Sequence, residues 1–318
     1  MDPEIVNRLR CPVCAGTLAP ATAGTAHALR CPRGHSFDVA RQGYVNLLAG
    51  RTPHAGDSAA MVAARAAFLA AGHYDVVSAA LADAAVRALA DRRPAASAPT
   101  DRAPADTTPH GTEPVPAAPT GPASADGAYP LVVEPGAGTA RHLAAVLAAL
   151  PDAVGLALDV SKPALRRAAR AHPRAGAALA DTWQRLPLAD ASVAVLLNVF
   201  APRNGAEFHR VLDPTGTLLV VTPVADHLAE LVDALDLLRV DPAKAERVAG
   251  SLAGRFTEIG TTEHRARLTL TRPEVETLVG MGPSAWHADP ARLAARIAAL
   301  AEPVTVTVAV RLSRYRPA

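Results

Sequence analysis

From residue 128 onward, short runs of consecutive apolar residues alternate with alanine-rich segments of helical period. The runs predict strands at Pro130–Glu134, Val154–Asp159, Ala175–Ala180, Ser192–Val199 and Thr217–Thr222. Helices are expected between them, near Ala140–Leu150, Pro163–Ala171 and Gly205–Leu212. Two more are expected near Ala225–Leu238 and Pro242–Leu252, with a last apolar strand at Val304–Leu312. Continuous apolar runs mark strands covered on both faces, so the pattern reads as an α/β chain with a doubly wound parallel sheet. Such sheets bind ligands beyond the carboxyl ends of their strands.

The first 128 residues read differently. Met61–Ala71 and Asp75–Leu89 are proline-free and alanine-rich with spaced apolar positions, which predicts two helices broken at Gly72. Residues 92–128 are dominated by proline, alanine, threonine and aspartate and predict a flexible insert. The expected division is a small module at 1–50, a helical linker at 51–91, the insert at 92–128 and a sheet domain at 129–318.

Composition narrows this only locally. Half of the 318 residues are hydrophobic but 3% are aromatic, and the net charge of +2 shows no overall bias toward nucleic acid. Residues 1–65 hold seven arginines against four acids, which suits either an RNA contact surface or a solvated face. No charged-then-apolar leader opens the chain and no apolar run is long enough to span a membrane, so a cytoplasmic protein is expected.

All three cysteines lie before residue 32, an odd number that argues against disulfides. Cys11 and Cys14 are separated by two residues, Cys31 and His35 by three, so each pair forms one knuckle of a tetrahedral site. Four protein ligands close the shell, so a structural Zn2+ is expected rather than a catalytic one. A segment this short needs the metal to fold. His27 and His54 lack such spacing and read as surface residues.

The first strand of the sheet leads into Glu134-Pro135-Gly136-Ala137-Gly138-Thr139-Ala140-Arg141. Two glycines let the backbone approach a ligand, and the helix that follows offers free N–H groups. A nicotinamide fingerprint needs a third glycine where Arg141 stands, and no Lys-Ser/Thr pair follows as in a phosphate-binding loop. The remaining form, acid-x-Gly-x-Gly, is the one used by S-adenosyl-L-methionine-dependent methyltransferases. Successive strand ends then carry Glu134, Asp159, Asp181 and Asn198: an acid near the cofactor's amino-acid end, an acid for the ribose hydroxyls, one able to face adenine, and an amide.

Beyond these motifs the chain resembles the bacterial 23S rRNA (guanine-N1)-methyltransferases. The resemblance is carried by the cysteine knuckles and by the run from Phe37 to Leu48. It continues in Gly56-Asp57-Ser58, Met61 to Arg65, Gly72-His73-Tyr74 and Leu158 to Lys162. Phe200-Ala201-Pro202, Thr222-Pro223, His227 to Leu231 and Met281 to Trp286 complete it. It spans nearly the whole chain outside 92–128. Asn198 to Asn204 and Asp226 to Leu235 are most similar to the tylosin-resistance branch, which modifies nucleotide 748, rather than to the branch acting at 745. The resemblance implies a Rossmann-like class I methyltransferase sheet, preceded by a zinc-binding RNA-recognition module and a helical linker. It also implies a homodimer, 23S rRNA hairpin 35 as partner, and cofactor contacts at Tyr74, Thr139, Ala140 and His227. Two departures are mild, Glu134-Pro135 for an Asp-Ile common in the family and Thr139 for an acid; the third, the unusually long insert, bears on domain spacing.

Guanine N1 is protonated at neutral pH, so a base or an enolate-stabilising donor is required. Asp181 is the candidate base if adenine does not use it, Asn198 could hold the guanine edge, and Phe200 could stack on a base turned out of its hairpin. Two other readings stand beside this one: a small-molecule methyltransferase with a zinc knuckle, and an inactive RNA-binding module. Retention of Gly136, Gly138 and Asp159 opposes the second.

Overall fold

The structure, a computed structural model, describes residues 1–23, 26–48, 50, 56–92, 129–239, 241, 243–282 and 289–318. Among the sequence expectations, the insert beyond Arg92, His54 and the end of the Met281–Trp286 motif lie outside the described residues.

After α1 (Pro3–Val6), the strands β1 (Ala19–Ala23), β2 (Ala26–Arg30) and β3 (Ser36–Asp38) form a small antiparallel sheet. The next strand, β4 (Tyr44–Asn46), leaves that sheet and pairs in parallel with β7 of the large one. Helices α2 (Ala59–Ala70) and α3 (Asp75–Arg92) follow. The Ser58 hydroxyl caps α2 by accepting the Met61 N–H at 3.2 Å, and Gly72, at φ 83°, makes the break between the two helices.

The large sheet is built from β5 (Leu131–Pro135), α4 (Arg141–Ala149), β6 (Val154–Asp159), α5 (Lys162–Ala168), β7 (Ala175–Leu179), β8 (Val193–Val199), α6 (Gly205–Val211) and β9 (Leu212–Pro223). Beyond these come α7 (Ala229–Leu235), α8 (Lys244–Leu252), β10 (Phe256–Leu270), α9 (Arg272–Gly280), α10 (Pro290–Ala298) and β11 (Val304–Pro317). The strand order is β10-β11-β9-β8-β5-β6-β7-β4. From β9 to β4 all neighbours are parallel, as the apolar runs predict, but β11 lies antiparallel to both β9 and β10. The sheet is therefore mixed. The sequence pattern missed β10 because, at the sheet edge, Thr257 to Thr269 are largely solvated and polar. Helix α7 is shorter than expected, since residues 224–228 bond to β11 instead: Val224 N–H to the Ala309 carbonyl at 3.1 Å, Leu228 N–H to Thr307 at 2.8 Å.

The two faces are covered unequally. Helices α2, α3, α4, α5, α7, α9 and α10 pack over one. On the other, α6 and α8 cover only part, because the connection from β7 to β8 contains no helix. The N-terminal segment fills that place. Ile5, Val6, Leu9 and Leu29 are buried against Leu156, Leu158, Ala178 and Leu188. Leu9 bridges Leu188, Arg10 N–H donates to the Pro187 carbonyl at 3.0 Å, and Ala189 N–H donates to Arg8 at 2.8 Å. The module is thus part of the core under the sheet.

Leu9→Ala, at a fully buried side chain of this seam, is expected to cost about 2–5 kcal/mol, measured by chemical denaturation of the whole chain; a loss confined to local proteolysis of the first 50 residues would contradict the shared core.

Candidate active site and metal centre

The knuckles converge as their spacing implies. The Sγ atoms of Cys11, Cys14 and Cys31 and a ring nitrogen of His35 lie within 4.8 Å of one another. A tetrahedral zinc with bonds of about 2.0–2.3 Å needs ligand-to-ligand edges of roughly 3.3–3.8 Å. The Cys14–Cys31 sulfurs are 3.7 Å apart, and His35 Nδ1 lies 3.6 Å from Cys11 and 3.3 Å from Cys31. The residues fit the ion. Backbone turns hold them: Cys11 N–H donates to the Gly16 carbonyl and Gly34 N–H to the Cys31 carbonyl. Burial pushes the Cys31 thiol up, but hydrogen bonds from the His35 backbone and ring and from its neighbours outweigh this and bring it to about 6. That favours the thiolate a metal requires. His27, expected at the surface, is exposed.

A second site opens at the carboxyl ends of the parallel strands, a cavity of about 800 Å³. Its floor is the turn after β5. Gly136 (φ 72°) and Gly138 (φ 56°) use left-handed backbone, and a methyl group built on Gly136 would stand 2.7 Å from the Ala201 Cβ. Ala140, also left-handed, starts α4 without a side-chain cap. Glu134 supplies it from beneath: its Oε2 accepts the Leu143 N–H at 3.2 Å. Thr139 and Ala140 are buried behind the turn, and the wall beside it is formed by Gly138, Arg141 and His142. The side chains of those two expected contacts therefore do not line the cavity.

Asp159 ends β6 beside the turn. Its two oxygens accept Gly138 N–H and Ser161 N–H, each at 2.8 Å, and it lines the cavity. Burial raises its carboxyl above the usual range. Burial also lifts Glu134 from 4.5 to about 8, with Asp159 adding to the effect against the Leu143 N–H. A cation placed in the cavity would find two carboxyl groups ready to ionise in its presence.

The segment before α2 closes the cavity's side. Gly56 lies against Ser161, whose hydroxyl donates to the Asp57 carbonyl at 2.8 Å. Arg65, which the sequence reading did not single out as a site residue, pairs with Asp57 and donates to the Met281 carbonyl at 2.9 Å. Its Nη1 lies 3.2 Å from where a Gly138 Cβ would be. Behind the wall, Ser78 and His142 hydrogen bond at 2.9 Å, and burial holds His142 down at about 4.

Over the mouth three rings meet. Tyr74 comes from the α2–α3 break, Phe200 from the loop after β8 and His227 from the segment drawn onto β11. Ring centroids are 6.1 Å apart for Tyr74–Phe200 and for Tyr74–His227, and 5.9 Å for Phe200–His227. Tyr74 Oη lies 3.3 Å from His227 Nε2. Phe200 is 40% exposed with φ 51°, a conformation that costs a non-glycine residue about 1–3 kcal/mol. Trp183, 54% exposed, is a further aromatic at this mouth. It was missed because one aromatic in a polar loop carries no periodic signal.

Of the two residues nominated for chemistry, Asn198 is placed less favourably for it. Asn198 is fully buried. Its amide donates to the carbonyls of Pro202 at 2.9 Å and Ala201 at 3.4 Å, and its oxygen accepts from Arg203 at 3.1 Å. These bonds hold the Phe200 loop and leave the amide turned into it. Asp181 lines the cavity beyond β7, its Oδ1 accepting Trp183 N–H at 2.9 Å. Three strand spacings separate β7 from β8, or about 14 Å. The connection after Asp181 crosses part of that span, since the Thr182 carbonyl accepts from the Asn204 amide, in the loop after β8, at 3.1 Å.

A zinc-ribbon profile described as RlmA, N-terminal, matches residues 9–52. The whole chain is similar, at 66% identity over 100% of both chains, to a Micromonospora griseorubida protein provisionally named a 23S rRNA (guanine-N(1)-)-methyltransferase. It is 47% identical to the 23S rRNA (guanine(748)-N(1))-methyltransferase of Streptomyces fradiae, over 100% of this chain and 99% of that one. Among solved structures, the MccD protein overlaps 59% of this chain and 90% of its own, with a TM-score of 0.38 and 15% identity.

Gly136→Ala, through backbone strain and the clash with Ala201, is expected to weaken S-adenosylhomocysteine binding about tenfold to hundredfold by calorimetry; unchanged affinity would show that the turn does not form the cradle. Glu134 in the folded protein binds its proton more tightly than when unfolded, so stability falls as pH rises from about 4.5 to about 8. His142 acts oppositely and only between about 4 and 6.5. Glu134→Gln should therefore flatten the ligand-free melting temperature between pH 6.5 and 8, where the Glu134 slope stands alone of these two.

Proposed function

The chain belongs to the family of 23S rRNA (guanine-N1)-methyltransferases, and from that premise we propose that it methylates N1 of guanine 748 in hairpin 35 of 23S rRNA, with S-adenosyl-L-methionine as donor. The observation that carries the reading is the full-length identity to the nucleotide 748 enzyme. The cavity supports it, since a glycine-turn cradle runs without interruption to an aromatic mouth. Protection of the ribosome against tylosin-type macrolides, a homodimer and a cytoplasmic location belong to the same reading. No helix among the described residues is long and apolar enough to cross a membrane.

When bound, the cofactor supplies a methyl group already activated by a sulfonium. The remaining work is positioning. Glu134 and the turn at Gly136 and Gly138 would hold its amino-acid end, with Thr139 and Ala140 contributing backbone only. Asp159 would accept the ribose hydroxyls on lone pairs not used by Gly138 and Ser161. Asp181, on the β7 side, suits the adenine amine better than the guanine. Tyr74 and His227 would close over the sulfonium end, where the Phe200 loop gives the turned-out guanine a ring to stack on. Asn198 serves as a positioning residue for that loop. Zinc at Cys11, Cys14, Cys31 and His35 would have a structural role: it would shape the module, which covers the sheet and would present Arg10, Arg30, Arg33 and Arg41 toward RNA phosphates.

Incubation with unmethylated 23S rRNA and mapping by reverse-transcription stop should give a new stop at guanine 748; a stop at 745 would keep the reaction and overturn the target. Cys14→Ala is expected to abolish zinc binding and RNA methylation together. Because the module underlies the sheet, it should also lower the melting temperature of the whole chain by several degrees; methylation at the wild-type rate would remove the module from the function.

A further inference from the structure

The hydrogen bonds around Tyr74 have a defined direction. Ala309 N–H, on β11, donates to His227 Nδ1 at 3.2 Å. In the neutral ring the proton therefore sits on Nε2, which faces Tyr74 Oη at 3.3 Å. Tyr74 Oη accepts that bond, and its own O–H proton remains to be donated elsewhere. The ring itself is fixed, packed edge-on against buried Phe68 at 5.3 Å and tilted against Phe200 at 6.1 Å. Tyr74 lines the cavity at the mouth where Phe200 is exposed. Arg65, from α2, is the charged group acting on the hydroxyl, and His227 is the titratable one facing it. Burial outweighs Arg65 and raises the hydroxyl's pKa, so the donor keeps its proton at any physiological pH.

The acids lining the cavity are otherwise engaged. Asp57 pairs with Arg65, Asp241 with Arg247, Glu134 caps α4, Asp159 holds two backbone N–H groups, and Asp181 accepts the Trp183 N–H. Each is already committed to these bonds rather than to a base stacked on Phe200. The chain can instead lower the cost of losing that proton by stabilising the oxygen on which the charge collects.

Resting on the methyltransferase reading above, we propose that Tyr74 is a catalytic residue that donates its O–H to O6 of the target guanine, with the Ala309–His227 pair holding it in the donor state. In this step the N1–H bond breaks and its proton passes to water at the mouth, while negative charge spreads onto O6 against the Tyr74 hydroxyl. The N1 lone pair then forms the bond to the methyl carbon as the carbon–sulfur bond breaks, its electron pair remaining on sulfur. Reacting atoms in such a transfer lie about 3–3.5 Å apart. A residue flanking the methyl group can therefore contact the acceptor base as well as the cofactor.

The test is Tyr74→Phe, which keeps the ring, studied with wild-type protein whose product at guanine N1 has first been mapped. Absence of that product in the wild type would overturn the methyltransferase reading itself, separately from the role of Tyr74. Given the product, the single-turnover methylation rate with saturating cofactor and hairpin should fall about 100-fold at pH 7, while the Kd for S-adenosylhomocysteine stays within about twofold. The defect should narrow as pH rises toward the value at which free guanine N1 ionises, because the donor matters less once the proton is already lost. A hairpin carrying 2-aminopurine, which lacks O6, at the target position should bind the wild type several-fold more weakly than the guanine hairpin, and bind Tyr74→Phe with no such difference. His227→Gln, whose amide can still donate, should retain more of the rate than His227→Ala, and Tyr74→Phe/His227→Ala should be little slower than Tyr74→Phe alone. A weakened S-adenosylhomocysteine complex with an unchanged methylation rate would assign Tyr74 to the cofactor and overturn the proposal, as would a rate defect independent of pH.

Discussion

Between Gly136 and Ala201 there is no room for a side chain: a methyl group on the glycine would stand 2.7 Å from the alanine Cβ. That contact joins the turn after β5 to the loop after β8, and the rest of the cavity is arranged about it. It depends on Gly136 at φ 72° on one side and on the Asn198 amide fastening Ala201 and Pro202 on the other. With the loop held there, Phe200 is forced to φ 51° and its ring reaches the mouth beside Tyr74 and His227. Strain at a ligand site persists only where its surroundings over-determine it. Here the bonds from Asn198 and Arg203 provide that constraint.

The same economy of space governs the opposite face of the sheet. A doubly wound fold ordinarily places a helix in each crossover, but the β7–β8 connection has none, and the exposed apolar face would be unstable in water. The N-terminal module covers it with Ile5, Val6 and Leu9, while its last strand, β4, extends the sheet itself. The metal, the module and the sheet are therefore linked energetically: knuckles too small to fold alone are shaped by an ion, and the surface they shape is a wall of the larger core. The β7–β8 connection carries Asp181 and Trp183 at one end and Leu188 under the module at the other, so the metal centre and the cavity share one loop.

Much of this was legible in the chain. The metal ligands are two short-range pairs, and their convergence needed only that two turns meet. The parallel strands announced themselves because burial on both faces demands unbroken apolar runs, and the glycine turn because left-handed backbone favours one residue type. The edge strand β10 was invisible since solvent on both sides removes the apolar signal, and the sheet is consequently mixed rather than wholly parallel. Asn198 looked like a substrate ligand because a polar residue at a strand end has that bias. Its amide is instead consumed by the carbonyls of its own loop.

By itself, then, the sequence determined what local chemistry determines: period, capping, turn conformation, ligand spacing and, through family resemblance, the reaction. Tertiary structure alone decided which distant residues share a space. Tyr74 and His227 are 153 residues apart in the chain; the family resemblance implied both at the cofactor, but nothing in either neighbourhood encodes their 3.3 Å contact. It arises because the strand order brings β11 beside β9, so that Ala309 can fix the His227 ring where the α2–α3 break delivers Tyr74. Strand order is a property of the whole packed sheet, set by which faces can be covered at once, and it assembled three rings that no local spacing connects.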